Sequence, residues 1–463
     1  MTRYIVGHRL VRGPCNKSLA MVCASLLARS LKRSVALGLL SGSLAGPAFA
    51  QQASPAPSAM NAQHRDENGE AAHAQHGPVS LHFTYLSDLN ADISGGERQG
   101  ANFLGRAGLI GDADLERLLA WRGATAHFSI HWIHGEGLSA HRVGNLLTVS
   151  GVEAEPALRL FNLWIEQRIG SRAALRVGQF TAAQEFAISP TAALFVNATF
   201  GWPASFATDL PSGGPSYPLA APGLRLAFMA QDQLTLRAAL FAGDPAGPGG
   251  GDPQRRDRHG FNGLRFSGKP FAIMEIARDW GNASNPALAL RLGAWHHFDR
   301  FAQLAPSDVA GTDAVPGPAG NSGIYGIADG LLWQAGGHNL RAFVRATWSP
   351  PDRNLIDLYA DAGLSLQSPF AKRPNDIAGV GFAYARISPR LRSLAGHASA
   401  GLPGAERVIE ASYQAQIAGS FSLQPNLQYV IDPAAGALAP MPDGSSKPIS
   451  DALILGLRTS LRF

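Results

Sequence analysis

The sequence predicts an all-β protein: a transmembrane antiparallel β-barrel of about 16 strands, of the kind built into the bacterial outer membrane. Three observations carry that expectation. Segments of about 9–12 residues alternate apolar and polar side chains, the length and period of a tilted membrane-crossing strand. Their polar positions often hold arginine, which the dry interior of a soluble sandwich would bury at high cost unless paired. The links between segments alternate short and long, as periplasmic turns and external loops do.

Taken in order, residues 1–50 carry Arg3, Arg9, Arg12, Lys17, Arg29, Lys32 and Arg33 with no acidic residue, then the apolar run 35–40, and close on Ala48-Phe49-Ala50. A basic stretch, an apolar stretch and a small-residue site in that order form a secretory signal peptide. A start at Met21 would give that signal an ordinary length. The apolar run is shorter than the roughly 20 residues a spanning helix needs. Removing the segment takes seven of the 39 Lys and Arg and none of the 34 Asp and Glu, which leaves a charge near −2. The basic isoelectric point thus belongs mostly to the signal and gives no support to nucleic-acid binding. Cys15 and Cys23, the two cysteines of the chain, also fall there, so the exported part is no disulfide scaffold. Residues 51–77 read as a disordered polar lead-in.

Residues 78–463 read as one barrel. QLTLRAALF places Leu234, Leu236 and Leu240 opposite Arg237, and NLRAFVRATW sets Leu340, Val344 and Trp348 against Arg341 and Arg345. FSLQPNLQYVI opposes Leu423, Leu427 and Tyr429 to Ser422, Gln424, Asn426 and Gln428, and the final DALILGLRTSLRF sets Leu455 and Leu457 against Arg458. Short links are expected at 121–123, 170–172, 231–233, 281–285, 336–338 and 419–420. Long ones are expected at 88–100, 136–155, 187–222, 244–260, 301–322, 350–361, 389–407 and 433–448. Pro369 and Pro374 obscure the turn between 364 and 376.

Several of these segments together resemble the carbohydrate-selective porin family. They are LFNLWIEQRIG, LRVGQFTAAQEFA, ALFVNATFGWP and DLPSGGPSYPLAAPGLRL between Leu160 and Leu226, and later SLQPNLQYVIDP and DALILGLR. The resemblance spans nearly all of residues 80–463. It implies an outer-membrane barrel for passive uptake of glucose and other small carbohydrates, with no cofactor. It leaves open the preferred sugar and whether the barrel forms a homo-oligomer. The loops at 244–258 and 311–320 are not diagnostic and are candidates for setting gating or selectivity.

The stretch 186–223 breaks the period of two with six prolines, four glycines and a cluster of aromatics. It joins an upward to a downward strand, so it is the third external loop. Phe195, Phe200, Trp202 and Phe206 would sit poorly in bulk water, which predicts that residues 187–222 fold into the barrel and narrow it. Aromatic faces match the C–H faces of a pyranose, while Asn197, Asp209, Ser212 and Tyr217 can bond its hydroxyls. The plainer role for the same rings is packing against the wall. Arg176, Arg225, Arg237, Arg291, Arg341 and Arg345 are expected to point inward, where guanidinium groups can donate paired bonds to vicinal hydroxyls and acids such as Glu185 or Glu410 balance their charge. Without such acids the same arginines would select anions, the alternative of an anion-selective or general diffusion porin. His127 and His131 share a strand face with too few partners for a metal site, which needs three or four ligands. No nucleophile elbow, phosphate loop or HExxH helix is present, which weighs against a secreted all-β enzyme, and the apolar final strand weighs against a soluble surface-binding protein.

Overall fold

The computed structural model describes residues 77–463 apart from 262–265, 267, 283–284, 305–318, 395–403 and 441–445. The signal segment 1–50 with both cysteines, the lead-in as far as residue 76, and the 311–318 part of the loop noted above lie outside the described residues.

Successive side chains of a strand point to opposite faces, so an alternating segment is stable where one face meets hydrocarbon and the other a polar interior. In chain order the strands are β1 (Val79–Gly96), β2 (Gly100–Asp114), β3 (Ala124–Gly135), β4 (Ala157–Ile169), β5 (Ala173–Phe180), β6 (Ala221–Gln231), β7 (Leu234–Phe241), β8 (Phe271–Asn282) and β9 (Asn285–Arg300). They continue with β10 (Ala319–Ala335), β11 (His338–Trp348), β12 (Ile356–Gln367), β13 (Ile377–Ile387), β14 (Ala405–Ala418), β15 (Phe421–Ile431), the short ribbon β16 (Leu438–Pro440) and β17 (Ser446–Pro448), and β18 (Ser450–Arg462). All but the ribbon form a closed antiparallel barrel of 16 strands in which β1 pairs with β18. Closure leaves no sheet edge, as hydrocarbon demands. Among the described residues no helix is long and apolar enough to cross a membrane.

Val177, Leu224, Leu226, Val344, Val380, Leu427 and Leu455 are exposed on the outside, while Arg176, Arg225, Arg345, Gln428 and Arg458 are buried inside. Slipping a strand by one residue would turn its arginine into lipid at a cost of about 2–4 kcal/mol near the midplane. Charge therefore specifies the register alongside the backbone hydrogen bonds.

Two expected long loops are in part strand. β1 runs on to Gly96 and pairs Asp92 with Gly100, so the connection at 88–100 shrinks to 97–99. Asp88, Asn90 and Asp92 looked like loop residues because they are polar, yet they are the inward half of a strand and are buried. For the same reason β12 begins at Ile356 rather than after 361: Asp357 is buried beside Arg386 at 2.8 Å, and Asp361 pairs with Arg345. The short turn expected at 121–123 is preceded by a helical turn, Leu115–Leu119, capped by the Asp114 side chain. The obscured turn is 368–376, between β12 and β13.

The interior is not a uniform water-filled tube. Loops 136–156 and 181–220 pack against the inner wall of β11–β15 and β18, giving a core that includes Leu138, Val143, Leu147, Phe195, Phe200, Phe343, Tyr359, Val408 and Ile454. Glycines on the wall make room for it. A Cβ at Gly381 would lie 2.9 Å from Phe200 Cζ and 3.0 Å from Phe195 Cζ, and one at Gly379 would lie 2.5 Å from Leu194 Cδ2. Gly381→Val is expected to push both rings off the wall into the passage, to cost about 1–3 kcal/mol of stability, and to lower single-channel conductance in a planar bilayer; unchanged conductance would mean the rings do not bear on the passage.

Candidate functional site

Residues 181–220 leave the end of β5 and return to β6 through short helical turns at Ala192–Leu194, Ala198–Phe200 and Ala204–Asp209. Proline lacks a donor and suits no central strand, and the short turns leave backbone groups that must find partners. The wall provides them. Asp329 accepts from the Ser189 hydroxyl (2.6 Å), the Thr191 N–H (2.9 Å) and the Thr191 hydroxyl (2.8 Å). Glu410 accepts from the N–H groups of Val196 (2.7 Å) and Asn197 (2.9 Å). Glu275 accepts from the Ala187 N–H and the Tyr325 hydroxyl, both at 3.0 Å. Arg345 donates to the carbonyls of Ala187 (2.7 Å), Thr199 (3.0 Å) and Phe200 (3.0 Å) while pairing with Asp361 at 2.5 Å. Removing one member of such a buried charged set typically costs about 3–5 kcal/mol, so these wall groups hold the loop firmly.

A second set of charges is buried in part and exposed in part, with Glu166, Arg237, Arg291, Asp279 and Arg341 keeping some of their surface open. Arg176 and Arg225 share two carboxylates: Arg176 lies 2.8 Å from Glu166 and 2.5 Å from Glu185, and Arg225 lies 2.7 Å and 3.1 Å from the same two. The Arg176 guanidinium also sits 3.7 Å over the Trp164 ring, a cation–π contact. Arg237 pairs with Glu275 at 3.3 Å, Arg291 with Asp279 at 3.7 Å and Arg341 with Asp329 at 3.2 Å. Every candidate arginine therefore faces a carboxylate. Burial alone would raise the Glu185 carboxyl, but Arg176, Arg225 and Arg237 outweigh it and hold the group below its usual value, ionised. Of the two acids expected to balance the arginines, Glu185 does so; Glu410 instead holds the loop backbone. Glu166, Glu275, Asp279, Asp329, Asp361 and Trp164 were missed. Their signal was register: Glu166 stands opposite Arg176, Glu275 opposite Arg237 and Asp361 opposite Arg345 on adjacent strands.

The loop's own candidates divide. Phe200 is buried 4.7 Å from Phe195 and 6.3 Å from Phe343, and Phe206 lies 5.8 Å from Tyr325 and 6.1 Å from Trp295. Asn197 uses its whole amide, donating to Leu147 and Gln428 at 3.0 Å each and accepting from the Thr199 N–H at 3.1 Å. Trp202 packs edge-on against Phe206 at 4.8 Å, and its indole N–H finds no partner among the described residues. Tyr217 is half-buried, donates to the Val152 carbonyl at 3.1 Å and lies 5.4 Å beneath the Arg106 guanidinium. Ser212 donates to Asp244 at 2.6 Å and Arg256 reaches Asp244 at 3.5 Å, tying the 244–258 loop to this one. His127 bonds Asp112 at 2.8 Å and stacks on Trp164, while His131 stacks on Phe161. Among the described residues no three His, Cys, Asp or Glu side chains converge as a metal site would require.

A model of the carbohydrate-selective porin, OprB family matches residues 98–463. The chain belongs to that family. It is accordingly an outer-membrane porin for small carbohydrates, a β-barrel channel. Its fold is similar to that of Pseudomonas putida OprB. The high-pH structure of that protein superposes with a TM-score of 0.71 at 20% identity, covering 83% of this chain and 94% of that one. The low-pH structure gives 0.51 at 15% identity, covering 83% and 93%. No curated protein matches the chain significantly in sequence.

Asp209 ends the Ala204–Asp209 turn, and burial pushes its carboxyl up to about 8, against the opposing pull of bonds from the Ile356 N–H and the Thr208 hydroxyl. The folded loop therefore retains the proton. The stability this confers is full below about pH 4 and is lost as pH rises through about 8, because the unfolded carboxyl has already ionised. Wild type is expected to gain current noise in planar bilayers between about pH 7 and 9, and Asp209→Asn to stay quiet over that range; equal noise in the two would disconnect Asp209 from loop packing.

Proposed function

We propose that the channel passes small neutral pyranoses such as glucose by facilitated diffusion, catalyses no reaction, and disfavours anions at its arginine-lined wall. Export relies on residues 1–50 as a signal peptide that is then cleaved. The observation that carries this reading is the pairing of Arg176, Arg225, Arg237, Arg291, Arg341 and Arg345 with carboxylates. A ring of unpaired arginines selects anions; a balanced row offers donors and acceptors side by side with little net field, which suits vicinal hydroxyls.

Within the set, Arg345, Asn197, Phe200 and Phe206 are assigned to holding the loop, because their polar atoms or rings are already engaged with the wall. Asp209 belongs with them. Sugar contact is assigned to the partly exposed members of the arginine–acid row (Glu166, Arg237, Arg291, Asp279 and Arg341) together with Glu185, to half-buried Tyr217, and to Trp202, whose buried indole N–H is left without a partner among the described residues. Transit requires contacts that are several and individually weak, which partly exposed paired charges provide.

Channel current at low salt, recorded while glucose and then phosphate are added, is expected to show block by glucose; block by phosphate alone overturns the reading in favour of an anion channel. Glu185→Gln removes one counter-charge from Arg176 and Arg225, and the reversal potential in a salt gradient is expected to move toward anion selectivity. Trp202→Ala is expected to weaken glucose block by about three- to tenfold, the size of one aromatic contact, with a smaller change in open conductance. Unaltered block removes Trp202 from the path.

A further inference from the structure

The lipid-facing side of β12–β14 carries a furrow. Outward side chains stand in rows across the strands: Leu366, Ala378 and Tyr413 lie opposite one another in one row, and Leu364, Val380 and Ala411 in the next. Ala378 and Ala411 are small beside Leu364, Leu366, Val380 and Tyr413, which leaves a hollow of about 600 Å³ between them.

The furrow opens at the short-turn rim, which in such barrels is periplasmic, beside the turn 368–376. Phe370 on this turn is 59% exposed, and its ring lies 6.1 Å from that of Tyr413. A network braces the turn: Asp376 pairs with Arg373 at 2.7 Å and accepts from the Tyr413 hydroxyl and, at 3.0 Å, from the Gln416 N–H. Phe370 bridges to Arg373, which puts Lys372 at the tip, exposed and in no ion pair among the described residues.

We propose that this furrow binds a glycerophospholipid of the periplasmic-side leaflet. One acyl chain lies over Ala378 and Ala411, the ester region meets Tyr413 and Phe370, and an anionic headgroup is held by Lys372. Charge complementarity decides for lipid: an apolar hollow by itself would accept a second barrel, but this one ends in an amphipathic aromatic pair at interface depth and then an unpaired cation where the phosphate layer begins. The site lies on the outer wall and plays no part in the sugar path.

The test is native mass spectrometry of the full-length mature protein in detergent with added phosphatidylglycerol or phosphatidylcholine, folding being checked by gel mobility before and after boiling. Wild type is expected to retain phosphatidylglycerol about fivefold more than phosphatidylcholine, the effect of one surface cation. Lys372→Glu should abolish that preference, and Ala411→Leu, which fills the furrow, should lower retention of both lipids. Ala378→Val serves the same purpose should Ala411→Leu fail to fold. Equal retention of the two lipids by wild type, or wild-type retention by both variants, overturns the proposal. So does Ala411→Leu splitting an oligomer into single barrels, which would make the face a contact between copies.

Discussion

A charge on the inner face of a membrane barrel must be met by water or by an opposite charge, because the wall behind it borders hydrocarbon. Arg345 and Asp361 meet that condition side by side on β11 and β12, both fully buried. Arg176, Arg225, Glu166 and Glu185 meet it as a four-membered set that joins β4, β5, β6 and the start of the inserted loop. The same requirement fixes strand register, since a slipped strand would expose its arginine to lipid, and it fixes the loop, since wall acids accept the loop's otherwise orphaned N–H groups.

From that constraint the division of the interior follows. The wall of β10–β15 is engaged by loop backbone and aromatic rings, with Asp329, Glu410 and Gln428 buried beneath it. Among the charges of β4–β9, Glu166, Arg237 and Asp279 keep part of their surface exposed. Burial beneath the loop thus separates an anchoring set from a contact set, although both use the same residue types. Arg345 and Arg237 are alike in sequence context, each an arginine flanked by outward apolar residues, yet one is closed under the loop and the other is partly wet.

Much of the fold was legible because alternation is a local property. The final strand, the FSLQPNLQYVI strand and the NLRAFVRATW strand read directly as one lipid face and one polar face, and the proline-rich block stood out for lacking that period. Misreadings fell where an inward face was unusually acidic: Asp88, Asn90 and Asp92, and again Asp357 and Asp361, look like loop until the arginine or loop group beside them is known. The candidate site was legible in type and not in pairing. The arginines were found, but their partners Glu166, Glu275 and Asp361 lie across a strand pair, and their relation depends on a register no short stretch contains.

Alternation, the break in alternation and the charge pattern determined by themselves that this chain closes a barrel with a polar inside, and that one aromatic loop does not belong to the wall. Only the tertiary structure decided which wall residues each loop aromatic packs against, and which acid neutralises which arginine. The reason is physical: the period of a strand follows from backbone geometry residue by residue, whereas burial beneath a loop and contact across strands exist only once distant segments, such as Val196 and Glu410, have been brought together.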